Sequence, residues 1–390
     1  MRPILIDVTR LIGRAIKGRL PTGVDRVMLE YVRHYGPRAR AVVHARERFR
    51  VLTSTGSQRL FQQLLAPPGA ARSGWRPGAV VALARDVLAG EGAAGLEGAL
   101  LLNLGHLNLH RASHQRTLTR NGIKPVYFIH DLIPLTHPEY CREGEGALHA
   151  LRIANALEYG AGLIVNSQAT LDEVAAFAGK RKLSVPPSAV AFLAPGGASA
   201  AAAAAARPVT DPYFVMLGTI EARKNHLMVL QSWRQLVLQL GARAPRLVVI
   251  GQRGWECEQV LDLLDRCEAL RGVVIEKNAC SDEDVGRYLR HAQALLFPSF
   301  AEGFGMPLVE ALQAGTPVIA SDLPAFREIA GEVPDYVDPV DGAGWKRAVV
   351  DYCASEGGPR ARQLQRMASY RVPSWEAHFA SIDPFLEGVR

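Results

Sequence analysis

The chain reads as α/β, in two doubly wound domains, and three observations predict this. Short apolar runs of strand length alternate with helix-patterned stretches, the order that builds parallel sheets from βαβ units. The runs fall into two sets, one on each side of Pro195-Gly196-Gly197 and the alanine run from Ala200 to Ala206. A length of 390 residues, 48% hydrophobic and 21% charged, is ordinary globular material and suffices for two cores.

In the first half the strand candidates are Ile4 to Val8, Ala41 to His44, Ala79 to Ala84, Ala99 to Asn103, Pro125 to Ile129 and Leu163 to Asn166. In the second they are Tyr213 to Leu217, Arg246 to Ile250, Val273 to Glu276, Ala294 to Phe297 and Pro317 to Ala320. A poly-alanine run can be helical, but one lying after Pro-Gly-Gly and before Arg207-Pro208 reads as a linker or a single frayed turn. The expected division is therefore a first domain over 1–196, a linker over 197–210 and a second domain over 211–370. Their sheets are expected to meet at a cleft lined by both carboxyl edges.

The segment from Glu302 to Glu310 carries the most chemistry. Gly303 and Gly305 free the backbone and expose N–H groups to an anion. Pro307 suits a first helical turn, Leu308, Val309, Ala311, Leu312 and Ala314 continue the helix, and Gly315 ends it. The helix start points at the loop, where its unpaired N–H groups and positive dipole end favour a diphosphate. Glu310, about one turn inside, suits the vicinal hydroxyls of a ribose, and Glu302 the hydroxyls of a second sugar. A lone Gly-x-Gly is more often a tight turn between solvated glutamates. Here apolar runs stand on both sides, making a strand, loop, helix, strand unit with its loop at the carboxyl edge, where open α/β sheets bind ligands.

Two glutamates enclosing Gly303-Phe304-Gly305-Met306-Pro307, followed by Glu310-Ala311-Leu312, Ala314-Gly315 and Pro317-Val318, resemble the signature of glycosyltransferase family 4, retaining enzymes of the GT-B fold. The resemblance extends to Leu217-Gly218-Thr219 with Glu221-Ala222-Arg223-Lys224-Asn225-His226, to Val249-Ile250-Gly251 with Gly254-Trp255, and to Phe128-Ile129-His130-Asp131-Leu132-Ile133-Pro134. It covers most of the chain from about residue 120 onward; the first hundred residues match only in outline. The segment from Pro373-Ser374-Trp375-Glu376 onward resembles the family's terminal helix that crosses back to the first domain, so 371–390 is assigned there.

The resemblance implies a set of site residues. Lys224 aligns with the family's phosphate-binding lysine. Many members carry an arginine directly after the strand-end glycine, but this chain has Thr219 after Gly218, so Arg223 is expected to supply the second charge. Thr22-Gly23-Val24-Asp25-Arg26 stands where members have a glycine loop facing the diphosphate, which makes Gly23 a donor-binding candidate. His130 aligns with a histidine beside the transferred sugar. Asp131 and His106, both at strand ends, are the acceptor-side candidates. The donor set is completed by Thr219, Gly303, Phe304, Gly305, Met306 and Glu310, and the catalytic set is His130, Arg223, Lys224 and Glu302.

Other signals weigh less. His106, His110 and His114 are spaced four apart, as helical metal ligands sometimes are, but Asn103, Gly105 and Asn108 disfavour a continuous helix and no further ligand completes a set. Asp282-Glu283-Asp284 after Ser281 reads as an acidic first helical turn. No metal and no other cofactor is expected. Residues 1–60 hold 13 Lys plus Arg against 4 Asp plus Glu, a local balance of 13 − 4 = +9 within a net charge of +7. Such a face either attracts anionic lipid or a phosphate-bearing acceptor, or merely solubilises the surface, and both readings stay open. No basic stripe interleaved with aromatics suggests nucleic acid. Five cysteines, Cys141, Cys257, Cys267, Cys280 and Cys353, lack the paired spacing of a disulfide or zinc framework, and neither a signal sequence nor a transmembrane segment is read. A cytoplasmic protein is the expectation, at the inner face of the membrane if the basic face attracts lipid.

Together these imply transfer of a hexose, mannose from GDP-mannose first, from a nucleotide diphosphate sugar to a glycan or polyprenyl-linked acceptor in bacterial surface polysaccharide synthesis. A sugar-nucleotide epimerase or hydrolase, or a non-catalytic sugar-nucleotide-binding module, are the alternatives.

Overall fold

The structure is a computed structural model that describes residues 2–19, 21–45, 48–66, 75, 77–196, 206–354 and 357–389. The chain forms two compact units. Unit 1 comprises Met1–Leu135, Gly146–Ala191 and Trp375–Arg390, and unit 2 comprises Thr136–Glu145 and Phe192–Ser374. The segment Thr136–Glu145 thus groups with the second unit rather than the first, and the returning C-terminal stretch starts at Trp375 rather than at residue 371. Most of the alanine run expected as a linker, residues 197–205, lies outside the described residues.

Unit 1 holds β1 (Ile4–Asp7), β2 (Ala39–Ala45), β3 (Arg48–Val51), β4 (Leu100–Asn103), β5 (Lys124–Ile129), β6 (Gly162–Val165) and β7 (Ser188–Val190). They form one sheet in the order β3-β2-β1-β4-β5-β6-β7, parallel except for the β2–β3 hairpin. The central strands are mostly apolar because both faces are covered: Leu5, Ile6, Leu101, Leu102, Val126 and Phe128 are buried. The run from Ala79 to Ala84, expected as a strand, lies instead in a helix, Pro77–Leu88. Proline at its first position and three alanines within it favour that outcome, and a short apolar run does not by itself distinguish the two states. Residues 9–16 form a helix directly after β1, so Gly23 does not stand in the loop that follows the first strand. It begins the next helix, Gly23–Tyr35, behind a Thr22–Asp25 capping box.

The terminal helix Trp375–Gly388 belongs to unit 1. Its Phe379 ring stacks on His34 with centroids 3.9 Å apart, Tyr31 Oη lies 2.9 Å from His378 Nε2, and Tyr35 Oη donates to Asp383 at 2.8 Å.

Unit 2 holds β8 (Tyr213–Leu217), β9 (Arg246–Ile250), β10 (Val274–Lys277), β11 (Leu295–Phe297), β12 (Val318–Ser321) and β13 (Asp335–Val337), an all-parallel sheet in the order β10-β9-β8-β11-β12-β13. Trp233, Trp345, Phe214 and Tyr352 anchor its core, with Leu247 and Val249 from β9. The acidic run Asp282-Glu283-Asp284 opens a helix capped by Ser281, whose hydroxyl accepts the Asp284 N–H at 3.0 Å.

Candidate active site

In each sheet the strand order reverses once, between β8 and β11 in unit 2 and between β1 and β4 in unit 1. The loops that follow such a pair leave in opposite directions and open a crevice at the carboxyl edge.

In unit 2 the crevice is flanked by the loop 218–225 after β8 and the loop 298–305 after β11. The first ends in a tight turn, Ala222–Lys224, and left-handed Asn225 (φ 57°) before the helix His226–Leu240. The Phe300 N–H donates to the Arg223 carbonyl at 2.9 Å and joins the two loops. Across that junction Glu302 Oε1 receives Lys224 Nζ at 2.5 Å, Arg223 Nη1 at 2.8 Å and Ser299 Oγ at 2.8 Å. Arg223 also donates to the Ala301 carbonyl and to Glu221, each at 2.7 Å, so its guanidinium braces both loops.

Lys224 is 9% exposed and Glu302 half-buried. Burial raises the Glu302 carboxyl, but the Arg223 and Lys224 cations beside it prevail and hold it down to about 2. Burial pulls the Lys224 ammonium below its ordinary value, opposed by Glu302 and assisted by Arg223. The carboxylate is therefore ionised at neutral pH and no proton donor. Its contacts fall on Oε1, which leaves Oε2 to accept from a hydroxyl.

Phe297, the last residue of β11, is shared by the two halves of this crevice. Lys224 Nζ lies 4.9 Å from its ring centre. A Cβ at Gly305 would come 3.4 Å from its Cε1 and 2.6 Å from Phe326 Cε1. Gly305 also has φ 109°, so only glycine fits this N-cap of the helix Met306–Gln313. The buried ammonium and the helix start thus border the same ring. Gly251, after β9, is bare for a related reason: a Cβ there would overlap the Gly218 carbonyl oxygen at 1.9 Å. Thr219, Gly303, Met306 and Glu310 are half-buried around these elements, and Phe304 is buried edge-on to Phe192, centroids 6.0 Å apart. From the segment Thr136–Glu145, Tyr140 stacks on Phe300 at 5.0 Å with planes 9° apart, and Arg142 lies 4.8 Å from the Trp255 ring centre.

In unit 1 the crevice holds histidines. His130, buried after β5, directs Nε2 to the Leu104 carbonyl at 2.8 Å and stacks on Phe128 at 4.5 Å. His106, in a left-handed turn (φ 58°), directs Nε2 to the Phe128 carbonyl at 2.7 Å, and His149 directs Nε2 to the Asp131 carbonyl at 3.1 Å. A carbonyl only accepts, so each Nε2 carries the proton and each Nδ1 the lone pair while the ring is neutral. Burial lowers the pKa of both His130 and His106, which keeps the rings neutral at physiological pH. Asp131 Oδ1 accepts the Ile133 N–H at 3.2 Å. Gly23 is exposed at its helix start, and Asp25 behind it is buried, 2.8 Å from Arg10 and 2.7 Å from Arg14.

The structure thus joins Arg223, Lys224, Glu302 and Gly305 in one crevice, and His106, His130 and Asp131 in another. It does not unite His106, His110 and His114, because the helix begins only at Ala112. Several contributors carried no clear signal: Ser299, which orients Glu302; Phe297, which read as plain core; His149; and the Tyr140–Phe300 stack. Glu221, in the run from Glu221 to His226, is a further contributor because it accepts from Arg223.

Comparison with known proteins agrees with this architecture. Residues 200–334 match the family model described as glycosyl transferases group 1. The serotype-specific mannosyltransferase WbdA of Escherichia coli is 28% identical over 250 residues, covering 60% of this chain and 30% of that protein. The chain therefore spans about a third of the length of that relative. The O-antigen chain mannosyltransferase B of Escherichia coli is 29% identical over 164 residues, 42% of each chain. Among solved structures, Anabaena Alr3699/HepE in complex with UDP superposes with a TM-score of 0.65 at 15% identity, covering 99% of this chain and all of that one. Sucrose-phosphate synthase from Thermosynechococcus elongatus gives 0.64 at 16% identity, covering 99% and 98%. The fold is the GT-B fold of glycosyltransferases. The stretch that matches the family model, residues 200–334, contains the segment from Glu302 to Glu310 that carried the resemblance.

Proposed function

We propose that this chain transfers a hexosyl group from a nucleoside diphosphate sugar to a hydroxyl of a glycan or polyprenyl-linked acceptor, with retention at the anomeric carbon and without a metal. The observation that carries the reading is the Lys224–Glu302–Arg223 cluster at the unit 2 crevice, bordering through Phe297 the helix start at Gly305. Negative charge grows on the diphosphate as the glycosidic bond breaks, and a buried cation beside a helix N-terminus stabilises that charge more in the transition state than in the ground state. Lys224 is assigned the direct phosphate contact. Arg223 holds the loops and adds field. Glu302 Oε2 accepts from hydroxyls of the transferred sugar, and Glu310 from the ribose. His130 steadies charge at the anomeric centre.

The names of the relatives favour mannose, hence GDP-mannose as the first donor, for surface polysaccharide. HepE was solved with UDP and with UDP-glucose, which keeps a uridine donor in the panel. A lipid-linked acceptor places the work at the cytoplasmic face of a membrane. Among the described residues no helix is long and apolar enough to cross one. Contact through unit 1 would be peripheral, aided by exposed Val81 and Leu88 on the helix Pro77–Leu88. It is tempered by Arg10, Arg14, Arg40 and Arg59, which pair with carboxylates of their own unit.

The test is incubation with labelled GDP- and UDP-sugars, with and without glycan acceptors. Acceptor-dependent transfer supports the proposal; donor consumption at the same rate without acceptor makes the protein a hydrolase or epimerase. Glu310→Ala is expected to weaken donor binding about tenfold, the worth of one or two hydrogen bonds.

A further inference from the structure

The helix His226–Leu240 buries Val229, Leu230, Trp233 and Leu236 in the core of unit 2. A second stripe on it, Leu227, Gln231, Arg234 and Leu238, recurs at intervals of four, three and four residues, so these side chains stand in one row. The neighbouring helix Glu258–Arg266 carries a matching row in Gln259, Asp262, Leu263 and Arg266. Between the two rows lies an open groove of about 720 Å³. Leu227, Leu263 and Cys267 are half-buried against the core and make its apolar floor, and Leu238 stands at its edge, 74% exposed.

An apolar floor inside a polar rim suits a protein partner, and the charges select which one. Of those that line the groove, Arg234 and Arg266 are positive and Asp262 and Glu268 negative, so the groove is neutral although the chain carries +7. An anionic membrane or a nucleic acid would meet two carboxylates that repel it. Asp262 pairs with Arg266 one turn on, and Glu268 with Arg271 at 2.8 Å. Arg234 makes no hydrogen bond or ion pair among the described residues. Exposed pairs within one chain contribute little, and their members stay available to a second chain. A projecting leucine, an apolar hollow and equal numbers of both charges on one patch allow it to complement itself. That is the requirement of a two-fold contact, in which the same patch serves both copies.

We propose that this groove is a two-fold contact between copies of the chain, with Leu238 of each copy seated in the groove of the other and Arg234 facing Glu268 of the other. No residue assigned to either crevice takes part, so the contact is independent of the glycosyl-transfer reading.

Sedimentation equilibrium of the full chain over about 1–100 µM, the range in which a modest interface associates, is expected to show the average mass rising toward that of two chains. Leu238→Asp is expected to hold at the mass of one chain throughout, with little change in melting temperature, since this side chain is exposed in the single chain. Arg234→Glu is expected to weaken association about tenfold, because like charges then face each other, and adding Glu268→Arg in the same chain to restore it. A one-chain mass at every concentration overturns the contact, and so does a Leu238→Asp variant that associates like the wild type. Growth beyond two chains means head-to-tail addition and overturns the two-fold. A double variant as weak as Arg234→Glu alone overturns the stated docking, for Glu268 would then not lie opposite Arg234.

Discussion

The two carboxyl edges are built of opposite materials. Unit 2 gathers two cations and two carboxylates into a nearly neutral, hydrogen-bonded cluster, while unit 1 presents buried imidazoles whose tautomers are set by backbone carbonyls. The difference teaches what each edge can recognise. A fixed cation in a half-dry crevice is suited to phosphate, because it is already desolvated when the charge develops. Neutral rings with one donor and one acceptor nitrogen are suited to alcohols. Removing the charge from the first edge should therefore cost rate, and disturbing the second should cost affinity for a neutral partner.

The largest effect is expected from Lys224→Ala. Loss of a preorganised donor at the developing charge lowers turnover by about 10²–10³. Arg223 still faces Glu302 in that variant, so circular dichroism should show a folded protein. Steady-state rates close to wild type would break the comparison, for they would leave the charged edge without a catalytic role.

Gly305→Ala comes next. Its Cβ would press on Phe326 from 2.6 Å in a conformation, φ 109°, that alanine resists. Strain of about 1–3 kcal/mol is expected in urea unfolding, together with weaker donor binding. Gly23→Ala is the control from the other edge, since nothing stands within 4 Å of a Cβ there. Equal stability losses in the two variants would show that the Phe297–Phe326 seat does not constrain the helix start.

The edges also separate in acid. Glu302 titrates near 2 in the folded chain against an ordinary 4.5, so its stabilisation is complete above about 4.5 and is lost as pH falls toward 2. His226, behind Lys224, and His114 in unit 1 are each pushed down to about 4, burial being the main cause. Both states are neutral above 6.5. Between 6.5 and 4 the unfolded chain takes up protons that the folded chain refuses, so stability declines by about 3 kcal/mol per histidine and then levels off. In urea unfolding across that window, His226→Gln and His114→Leu should each flatten the slope by about one proton, whereas Glu302→Gln should leave it and change only the descent below 4.5. A Glu302→Gln slope altered between 6.5 and 4.5 would contradict this assignment.

The sequence disclosed unit 2 more fully than unit 1, for physical reasons. Its site is assembled from strand ends and the turns directly after them, so Arg223, Lys224, Glu302 and Gly305 advertise themselves by glycine and charge at fixed spacing. The six strands are mostly uninterrupted apolar runs; only β13, Asp-Tyr-Val, was too short and mixed to stand out. In unit 1 the loop after β4 turns through two left-handed non-glycine residues, His106 and Asn108, which no local pattern announces. β3 carries a legible alternation, Arg48-Phe49-Arg50-Val51, whereas Ala79 to Ala84 is apolar without a period that distinguishes helix from strand. Contacts between segments apart in sequence, such as the Phe300 N–H on the Arg223 carbonyl or His149 on Asp131, are set by tertiary packing and leave little trace in spacing.

The smallest effect sharpens the comparison from inside unit 2. Tyr140 stacks on Phe300, whose N–H is tied to Arg223 and which stands two residues before Glu302. An aromatic pair of this kind is worth about 0.5–1.5 kcal/mol, enough to bias the loop 298–305 toward the position that holds Glu302 on its cations. Tyr140→Ala should raise the donor KM about two- to tenfold with a minor change in melting temperature, and Tyr140→Phe should restore it, because the ring and not the hydroxyl makes the stack. If Tyr140→Phe behaves like Tyr140→Ala, the hydroxyl is the active group and the stack is incidental. If neither variant moves the donor KM, the loop is positioned by Arg223 and Ser299 alone, and the charged edge is more self-sufficient than its aromatic support suggests.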